Sequence, residues 1–506
     1  MKKIAAVVMN SVSHDSRVLK QADSLAEAGY EAAVFGIQDV RCPEAESVRP
    51  SGARIFRCDW APLSYAVRAR LNLLGGAALA TAAVALLLTF LEAIHAYWLS
   101  SAFPLHLGIL LAATAARPFY NKYRRFKRAA DVLGGGPERR PPRLAEALGE
   151  LRQFLSKERN RWVQTKVRER LMVRALVRFR PDAVHCHDVY TLSIGSACAR
   201  KTGCRLVFDS HEIYEEQSLA NRFDRLKNRR TQRRLGPKLD GFVTVNRSIA
   251  EWLASRHPHF PPAVIVKNAA KMPDAELAYD GRLHRAAQLG PDRRILLFQG
   301  GFARFRGLDT LLESAPLLPR GWCVVMMGWG QFETALRKIA ASVDPQGWSI
   351  RFVPGVPQAE LIQWTAGAAL GAIPYQNNCL NHWYCSPNKL WEYPAAGVPI
   401  LASPFPELEK VVCGHNIGRL LSDPVTPEGI AAAVAALSDG DLAEMRRNCG
   451  HFIRADNWSV YERRLVGLYD RLLGRAPQSV PHRAAGWTEQ PLRAAEPTSA
   501  RQTQSG

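Results

Sequence analysis

The sequence lacks the spacing patterns of several common functional sites. Its ten cysteines form no Cys-x-x-Cys pair and no other metal-type spacing, which excludes the familiar zinc-finger and dithiol redox motifs. The N-terminal end has no secretory signal pattern, and scattered thiols are typical of a reduced compartment. We therefore expect a cytosolic location for the folded part of the chain, with the cysteines acting as small buried hydrophobic residues.

Negative charge is also scarce. The chain has 67 Lys and Arg residues but 46 Asp and Glu residues, so its net charge is +21 and its pI is near 9.8. This balance predicts an anionic partner: nucleic acid, an anionic lipid surface or phosphorylated substrates. Because no helix-turn-helix or RNA-reading motif is evident, we expect a membrane surface or phosphates and no nucleic acid.

The first 60 residues predict an α/β domain without the glycine-rich dinucleotide fingerprint. The apolar run KKIAAVVMN is typical of a buried parallel strand, VLKQADSLAEAG predicts a helix and YEAAVFG predicts a second strand. A polar loop with Asp15 and Arg17 stands where the fingerprint would be. An Arg at a helix N-terminus can bind a phosphate or a polar substrate, although a capping Asp beside a solvated Arg is an equally simple interpretation.

The α/β pattern stops between residues 60 and 180. Residues 71–91 carry no charge over a length that can cross a hydrocarbon core, and residues 93–116 are again free of Lys, Arg, Asp and Glu. Basic residues precede the first stretch and follow the second, which predicts a two-helix membrane hairpin with both ends in the cytoplasm. A re-entrant hairpin and a buried helical pair are the alternatives. The charged residues 118–180 favour contact with anionic lipids.

From residue 181 the strand pattern resumes, and ionisable residues follow the strands. The strand in PDAVHCHD ends in His187 and Asp188, and the strand in LVFDSHE ends in a run that includes His211 and Glu212. In open α/β sheets, ligands bind beyond the carboxyl ends of the strands, so these residues predict a site. A second α/β unit begins at residue 293, and two facing α/β units form a cleft that is suited to a ligand.

Six motifs resemble those of the retaining nucleotide-sugar glycosyltransferases of family 4 (glycosyl transferases group 1), which have the GT-B fold. They are SHDSRVLKQADSLAEAGYEAAVFG, HCHD, FDSHE, QGGFARFRGLD, VVMMGWG and SPNKLWEYPAAGVPI. The resemblance covers about 1–58 and 181–472. It implies an α/β protein with two facing Rossmann-like domains and a cleft between them, to which this chain adds the inserted helical membrane hairpin.

The resemblance and the composition together predict five segments. They are an N-terminal Rossmann-like domain on the acceptor side (1–59 and 181–275), the transmembrane hairpin with its basic helical linker (60–180), a C-terminal nucleotide-sugar domain (276–456), a crossover helix (457–474) and a disordered tail (475–506). This organisation predicts a multi-pass protein at the cytoplasmic face of the cell membrane, in contact with membrane lipids.

The resemblance implies that the C-terminal half binds the donor, a nucleoside-diphosphate sugar. A carboxylate at the position of Glu392 accepts hydrogen bonds from the ribose hydroxyls. Arg306, with help from Arg304, binds the diphosphate, and the backbone of the turn at Gly300 and Gly301 approaches the phosphates. Further substrate contacts are expected from the polar residues that precede Glu392, namely Asn381, Ser386, Asn388 and Lys389.

Two departures from the family pattern leave the donor sugar open. Many family members carry a Glu eight residues before the ribose-binding Glu, where this chain has Tyr384. Many also carry an Arg at the glycine turn, where this chain has Gly301. We expect the amide and histidine side chains of NNCLNHWYCSPN to hold the sugar instead.

On the acceptor side, the resemblance implies that strand-end residues meet the sugar and the acceptor. We assign His187, Asp188 and His211 to catalysis, and Glu212, Asp15 and Arg17 to substrate binding. Transfer is expected to retain configuration, by a front-face attack in which the leaving phosphate helps to take the acceptor proton and no protein nucleophile is needed. No metal or other cofactor is expected, and no DxD motif of the metal-dependent sugar transferases is placed convincingly. The acceptor is expected to be lipid-linked or a surface-polysaccharide intermediate.

Two other functions stay open at this point. Because Tyr384 replaces the usual Glu, a non-catalytic membrane-bound subunit of a polysaccharide assembly complex is one of them. A sugar-nucleotide epimerase on the same fold is the other, although the paired carboxylates of that family have no convincing match in the sequence.

Overall fold

The computed structural model describes residues 1–13, 15–39, 42–58, 163–218, 221–272 and 278–476. The predicted hairpin at 71–91 and 93–116 lies outside these residues, as do most of the basic linker and the predicted tail from residue 477 onward. Within the described part, no helix is both long enough and apolar enough to cross a membrane. The chain divides into two compact units, Met1–Phe208 and Asp209–Gly506, while the five predicted segments stay a prediction.

The described strands form two sheets, as the alternating strand and helix patterns predict. In chain order they are β1 (Lys3–Val7), β2 (Glu31–Ile37), β3 (Glu46–Val48), β4 (Arg54–Cys58), β5 (Ala183–His187), β6 (Arg205–Ser210), β7 (Gly241–Thr244), β8 (Ala263–Ile265), β9 (Arg294–Gly301), β10 (Trp322–Trp329), β11 (Ile350–Pro354), β12 (Leu370–Ile373), β13 (Ile400–Ala402) and β14 (Gly418–Leu420). The sheet orders are β3-β4-β2-β1-β5-β6-β7-β8 and β11-β10-β9-β12-β13-β14.

Helices connect these strands. The described helical segments are Ser16–Glu27, 163–179, Val189–Thr202, Arg222–Leu235, Arg247–Arg256, Arg282–Ala286, Leu308–Ser314, Glu333–Val343, Leu361–Thr365, Leu380–Trp383, Lys389–Ala395, Pro406–Val412, Pro427–Ala435, Asp439–Ala455 and Trp458–Leu473, with 3-10 turns at Gly236–Lys238 and Ala315–Leu317. Several begin where a side-chain oxygen accepts a free backbone N–H of the first turn, as at Asp15, Asn246 and Ser438.

The unit Met1–Phe208 begins with the predicted strand, helix and strand. β1 pairs in parallel with β2 and with β5, β2 pairs in parallel with β4, and short β3 is antiparallel to β4. β1 is buried along most of its length, which explains why its sequence is an unbroken apolar run. Because β1 and β5 are parallel and adjacent, the residues that follow them lie at the same edge of the sheet.

In the unit Asp209–Gly506, β9 is the strand that positions the candidate site. It lies between β10 and β12 in a sheet whose pairings are all parallel. Gly300 near its end has a φ of 105°, a conformation that favours glycine. Gly328 of β10 is in register with Gly300, and a Cβ at Gly328 would lie 1.9 Å from the Gly300 carbonyl oxygen. The two glycines therefore permit the close backbone approach at this turn.

The last described helix is Trp458–Leu473, within one residue of the predicted bounds at both ends. The backbone N–H of Trp458 donates to the Ala270 carbonyl at 2.9 Å, and Lys267 pairs with Asp456 at 2.8 Å. The start of this helix is therefore attached to the segment that follows β8.

Candidate functional site

The carboxylate of Glu392 lies beside the carboxyl end of β9 and is nearly buried. The residue is 8% exposed, on the helix Lys389–Ala395. Its Oε2 accepts a 3.0 Å hydrogen bond from Gln299 Nε2, and its Oε1 lies 3.4 Å from Nε2 of the exposed Gln358. Because a buried amide holds one of its oxygens, the carboxylate is a fixed hydrogen-bond acceptor for a hydroxyl or amine donor.

Tyr393 fixes the same helix against the same strand. Its hydroxyl donates to the Leu297 carbonyl at 2.8 Å and accepts from the Gln299 backbone N–H at 3.3 Å. The side chain is fully buried, and this burial raises the pKa of Tyr393. Tyr393, the aromatic residue next to Glu392, therefore attaches the helix Lys389–Ala395 to β9.

Two cations lie at the glycine turn that ends β9. A Cβ at Gly300 would lie 3.4 Å from Lys389 Nζ, and Arg306 NH1 donates to the Gly301 carbonyl at 2.7 Å. Tyr375 contacts both: its hydroxyl accepts from Nζ at 3.3 Å, and its ring centroid lies 5.8 Å from Arg306 Cζ.

Neither of these cations has a carboxylate partner among the residues that the structure describes. The Lys389 side chain is nonetheless 7% exposed, and a buried charge without a counter-ion is costly. Together with a turn whose backbone is open to close approach, the ammonium and the guanidinium suit a polyanionic group such as a diphosphate.

The structure brings the predicted residues Glu212 and Asn381 together. Asn381 Nδ2 donates to Glu212 Oε2 at 3.3 Å, and its Oδ1 accepts from the Ile213 backbone N–H at 2.7 Å. Burial lowers the pKa of the adjacent His382, and the charges of Glu212 and Arg306 also act on that imidazole. The loop after β6, the 381–382 segment and the cation pair therefore share one neighbourhood.

The side-chain amides of two asparagines, one after β7 and one after β8, bind Ser386. Asn246, which follows β7, donates from Nδ2 to Ser386 Oγ at 2.8 Å and to the Tyr384 carbonyl at 2.7 Å. Asn268 Nδ2 donates to the Ser386 carbonyl at 3.0 Å. These bonds fix the chain that leads into the Glu392 helix.

Arg304 and Asn388 are two further residues that were predicted to bind the donor. Arg304 is exposed, and its guanidinium lies 5.9 Å from the centroid of the Phe332 ring. Asn388 occupies the first position before the helix Lys389–Ala395, where its side chain does not cap the helix. At the glycine turn the structure places Arg306 and not Arg304, and the roles of Arg304 and Asn388 stay predictions.

In the unit Met1–Phe208, the predicted residues lie at or after the ends of the adjacent strands β1 and β5: they are Asp15, Arg17, His187 and Asp188. Asp15 caps the helix Ser16–Glu27, since its Oδ1 accepts from the Val18 N–H at 3.3 Å. Arg17 is 5% exposed, so it is not the solvated Arg of the alternative interpretation. Asp188 has a φ of 66°, which is rare for a residue with a side chain and is common at functional sites.

Histidines and carboxylates lie within or just after the last residues of strands in both units. The buried His185 and His187 rings lie 4.4 Å apart. In the other unit, His211 Nε2 lies 3.4 Å from Oδ2 of the buried Asp209. Such groups transfer protons and also bind metals. The catalytic assignments of His187, Asp188 and His211, and the reaction without a metal, stay predictions.

The sequence reasoning missed four residues that shape the site: Gln299, Thr365, Tyr375 and Asn246. Gln299 and Asn246 follow apolar strand runs, so the strand-end rule that found His187 could have found them. Thr365 carries no such signal, because only tertiary packing places its hydroxyl 2.6 Å from Gln299 Oε1.

Two family models match separate stretches of the chain. Residues 121–269 match "Glycosyltransferase Family 4", and residues 293–439 match "Glycosyl transferases group 1". Among curated proteins, the D-inositol 3-phosphate glycosyltransferase of Thermobispora bispora is 24% identical over 322 residues, which are 60% of this chain and 73% of that protein.

Solved glycosyltransferases share the fold. Sucrose-phosphate synthase from Thermosynechococcus elongatus superposes with a TM-score of 0.63 at 14% identity, over 94% of this chain and 100% of that one. WaaG, a glycosyltransferase involved in lipopolysaccharide biosynthesis, superposes with a TM-score of 0.56 at 11% identity, over 93% and 100%. The chain is a glycosyltransferase with a GT-B-like α/β fold and parallel sheets, and its expected substrates are a nucleotide-sugar donor and a sugar acceptor.

Replacing Lys389 by Met tests the anion site at the glycine turn. The ammonium has no carboxylate partner in the described part of the chain, so its removal should leave the melting temperature unchanged or higher. Binding of inorganic pyrophosphate, measured by calorimetry, should weaken about tenfold or more, the value of one charge-assisted hydrogen bond. Lys410→Met is the matched control, because Lys410 is exposed and paired with Glu407. Equal pyrophosphate affinities of the two variants would contradict this assignment.

Proposed function

We propose that this glycosyltransferase moves a sugar from a nucleoside-diphosphate sugar to its acceptor with retention of configuration and without a metal. The observation that carries the proposal is the arrangement around β9. A fixed carboxylate at Glu392 lies on the same short helix as Lys389, one of the two cations at the glycine turn. The carboxylate suits the two neighbouring hydroxyls of a ribose, and the cations suit a diphosphate.

In the proposed reaction, the bond between the anomeric carbon and the donor phosphate breaks. Charge develops on the leaving diphosphate, and Lys389, Arg306 and the backbone N–H groups of the turn stabilise it. The acceptor hydroxyl attacks the same face of the sugar, and its proton passes to the leaving phosphate oxygen. No protein nucleophile is required in this route. Strand-end histidines and amides, with Asn381 and His382 among them, orient the sugar and the acceptor.

We propose a lipid-linked acceptor or another intermediate of surface-polysaccharide synthesis. The strong positive charge of the chain supports an acceptor that carries phosphate. The name of the Thermobispora relative specifies D-inositol 3-phosphate, so a free phosphorylated polyol belongs in the same acceptor screen.

We also propose that the chain is anchored at the cytoplasmic face of the cell membrane. The uncharged stretches at 71–91 and 93–116, with basic flanks, support a hairpin that inserts into the bilayer. This arrangement brings the transferase to lipid-linked acceptors.

The helix Arg222–Leu235 supports contact with an anionic bilayer surface. Its inner side holds Asn228, which donates to the Tyr214 carbonyl, and Gln232, which donates to Glu215. Opposite this inner side, helical spacing places a basic face, defined as Phe223, Leu226, Lys227, Arg230, Arg233 and Arg234. Phe223 and Leu226 are 59% and 52% exposed. Exposed apolar side chains among cations are typical of helices that lie at a membrane interface.

Replacing Glu392 by Ala tests the donor assignment. With each donor of a nucleoside-diphosphate sugar panel, and with membrane extract as the source of acceptor, the release of nucleoside diphosphate is measured. The KM for the donor should rise about tenfold or more, because hydrogen bonds to a charged group are lost. The variant should still fold, with a modestly lower melting temperature, because the buried Gln299 Nε2 loses its acceptor. Glu409→Ala, an exposed glutamate on the next helix, is the matched control.

An unchanged KM in Glu392→Ala with every accepted donor would refute the ribose assignment. If no donor releases nucleoside diphosphate with the wild type while partner binding stays intact, the catalytic role itself is refuted and the non-catalytic alternative replaces it.

Removal of residues 68–118 tests the two proposed membrane contacts together. The full chain should resist high-salt washing of membranes, whereas the shortened chain should remain bound at low salt and be released by high salt, because only the electrostatic contacts of the basic face and the basic linker then hold it. Adding Phe223→Ser and Leu226→Ser should lower the salt concentration that releases the shortened chain. Leu317→Ser, at another exposed leucine, should not. Identical fractionation of the full and shortened chains would contradict the hairpin.

A further inference from the structure

A buried relay of polar side chains extends behind Glu392, away from solvent. Thr365 Oγ1 lies 2.6 Å from Gln299 Oε1, and Gln299 Nε2 lies 3.0 Å from Glu392 Oε2. The exposed fractions fall along the relay from 8% at Glu392 to 1% at Gln299 and 0% at Thr365. Thr365 is therefore too deep to contact a ligand and can act only through Gln299.

The orientation of the Gln299 amide is decided by charge. A carboxylate at neutral pH offers acceptors only, so the amide must present its NH₂ group to Glu392. Its carbonyl oxygen then points to Thr365 and needs a donor there, because a buried acceptor without a donor costs about 1–3 kcal/mol.

The hydroxyl group of Thr365 has two hydrogen-bond acceptors within reach. Its oxygen lies 2.6 Å from Gln299 Oε1 and 2.7 Å from the Leu361 carbonyl oxygen, and one hydroxyl has a single proton. When the proton points to Gln299, the amide is locked with its NH₂ toward Glu392. When it points to Leu361, the amide is free to turn its own carbonyl toward Glu392, where two oxygens repel each other.

This arrangement makes the two oxygens of Glu392 unequal. Oε2 is committed to the buried amide, whereas Oε1 faces Gln358, which is exposed. Oε1 is therefore the oxygen that an incoming hydroxyl can reach.

We infer that Thr365, acting through Gln299, is a positioning residue that holds Glu392 for a ribose, and that this relay makes the site selective for ribonucleotides over 2′-deoxyribonucleotides. The inference rests on the proposed function, because it assumes that Glu392 accepts from the ribose. It deepens that proposal in two ways. The ribose of the nucleotide becomes a feature that the site selects, and the selection is assigned to Thr365 and Gln299, which do not contact the nucleotide.

The experiment compares Thr365→Val, which keeps the shape and removes the hydroxyl, with Thr365→Ser, which keeps the hydroxyl. The affinities of UDP, ADP and GDP are measured by calorimetry on the full chain, and the best of them is compared with its 2′-deoxy analogue. Thr365→Val should reduce the ratio of the two affinities about fivefold, the value of one neutral hydrogen bond. Thr365→Ser should restore the wild-type ratio, and donor kinetics should show a raised KM with little change in kcat for the Val variant alone.

Gln299→Met supplies a second variant of similar volume, so the inference remains testable if Thr365→Val does not fold. It should lower the same ratio at least as much, and melting temperatures establish that each variant is folded. Glu392→Ala sets the reference, since it should abolish the preference for the ribonucleotide.

The outcomes separate the inference from the proposed function. If Glu392→Ala abolishes the preference while folded Thr365→Val and Gln299→Met keep it, the relay is overturned and the ribose assignment stands. If Glu392→Ala itself keeps the preference, the ribose assignment fails, and the inference fails with it. Loss of the preference in Thr365→Ser as well as in Thr365→Val would show a packing role for Thr365 and would also overturn the relay.

Discussion

One buried hydrogen bond, from Gln299 to Glu392, is the interaction on which the rest of the candidate site depends. It joins the end of β9 to the helix Lys389–Ala395. Because that helix carries both a carboxylate and, one turn earlier, an ammonium, fixing it against β9 fixes the proposed ribose subsite and the proposed diphosphate subsite together. The close approach of Gly300 and Gly328 also fixes the site, since a side chain at Gly328 would displace the glycine turn beside which the two cations lie.

Much of this could be predicted from the sequence, and the exceptions have a physical reason. The apolar runs predicted the parallel strands, and the SPNKLWEYPAAGVPI motif identified Glu392 and Lys389. The resemblance also assigned Arg306, as the basic residue before the first helix of the C-terminal half. Thr365 was not predicted, because only tertiary packing brings its hydroxyl within hydrogen-bond distance of Gln299. The choice between Arg304 and Arg306 at the turn likewise depended on the path of the loop, which no local pattern specifies.

Residues at the carboxyl ends of strands include amides as well as ionisable groups, and the sequence prediction named mainly the ionisable ones. It selected ionisable residues such as His211 and Glu212, whereas amides at equivalent positions hold the segment that leads into the site. Asn246 binds Ser386 and the Tyr384 backbone. Tyr384, where many members of the family that the motif resembles have Glu, thus contributes a backbone acceptor to the scaffold. We expect the donor sugar to meet Asn381 and His382 in place of the usual carboxylate.

The most direct test of this account is a structure of the protein with the nucleoside diphosphate that it binds best. The account predicts a ribose hydroxyl oxygen within about 3 Å of Glu392 Oε1, with Gln299 still bound to Oε2. The phosphates should lie at the Gly300 turn, in contact with Lys389 and Arg306. A nucleotide whose ribose lies away from Glu392, or whose phosphates leave both cations unbound, would contradict it.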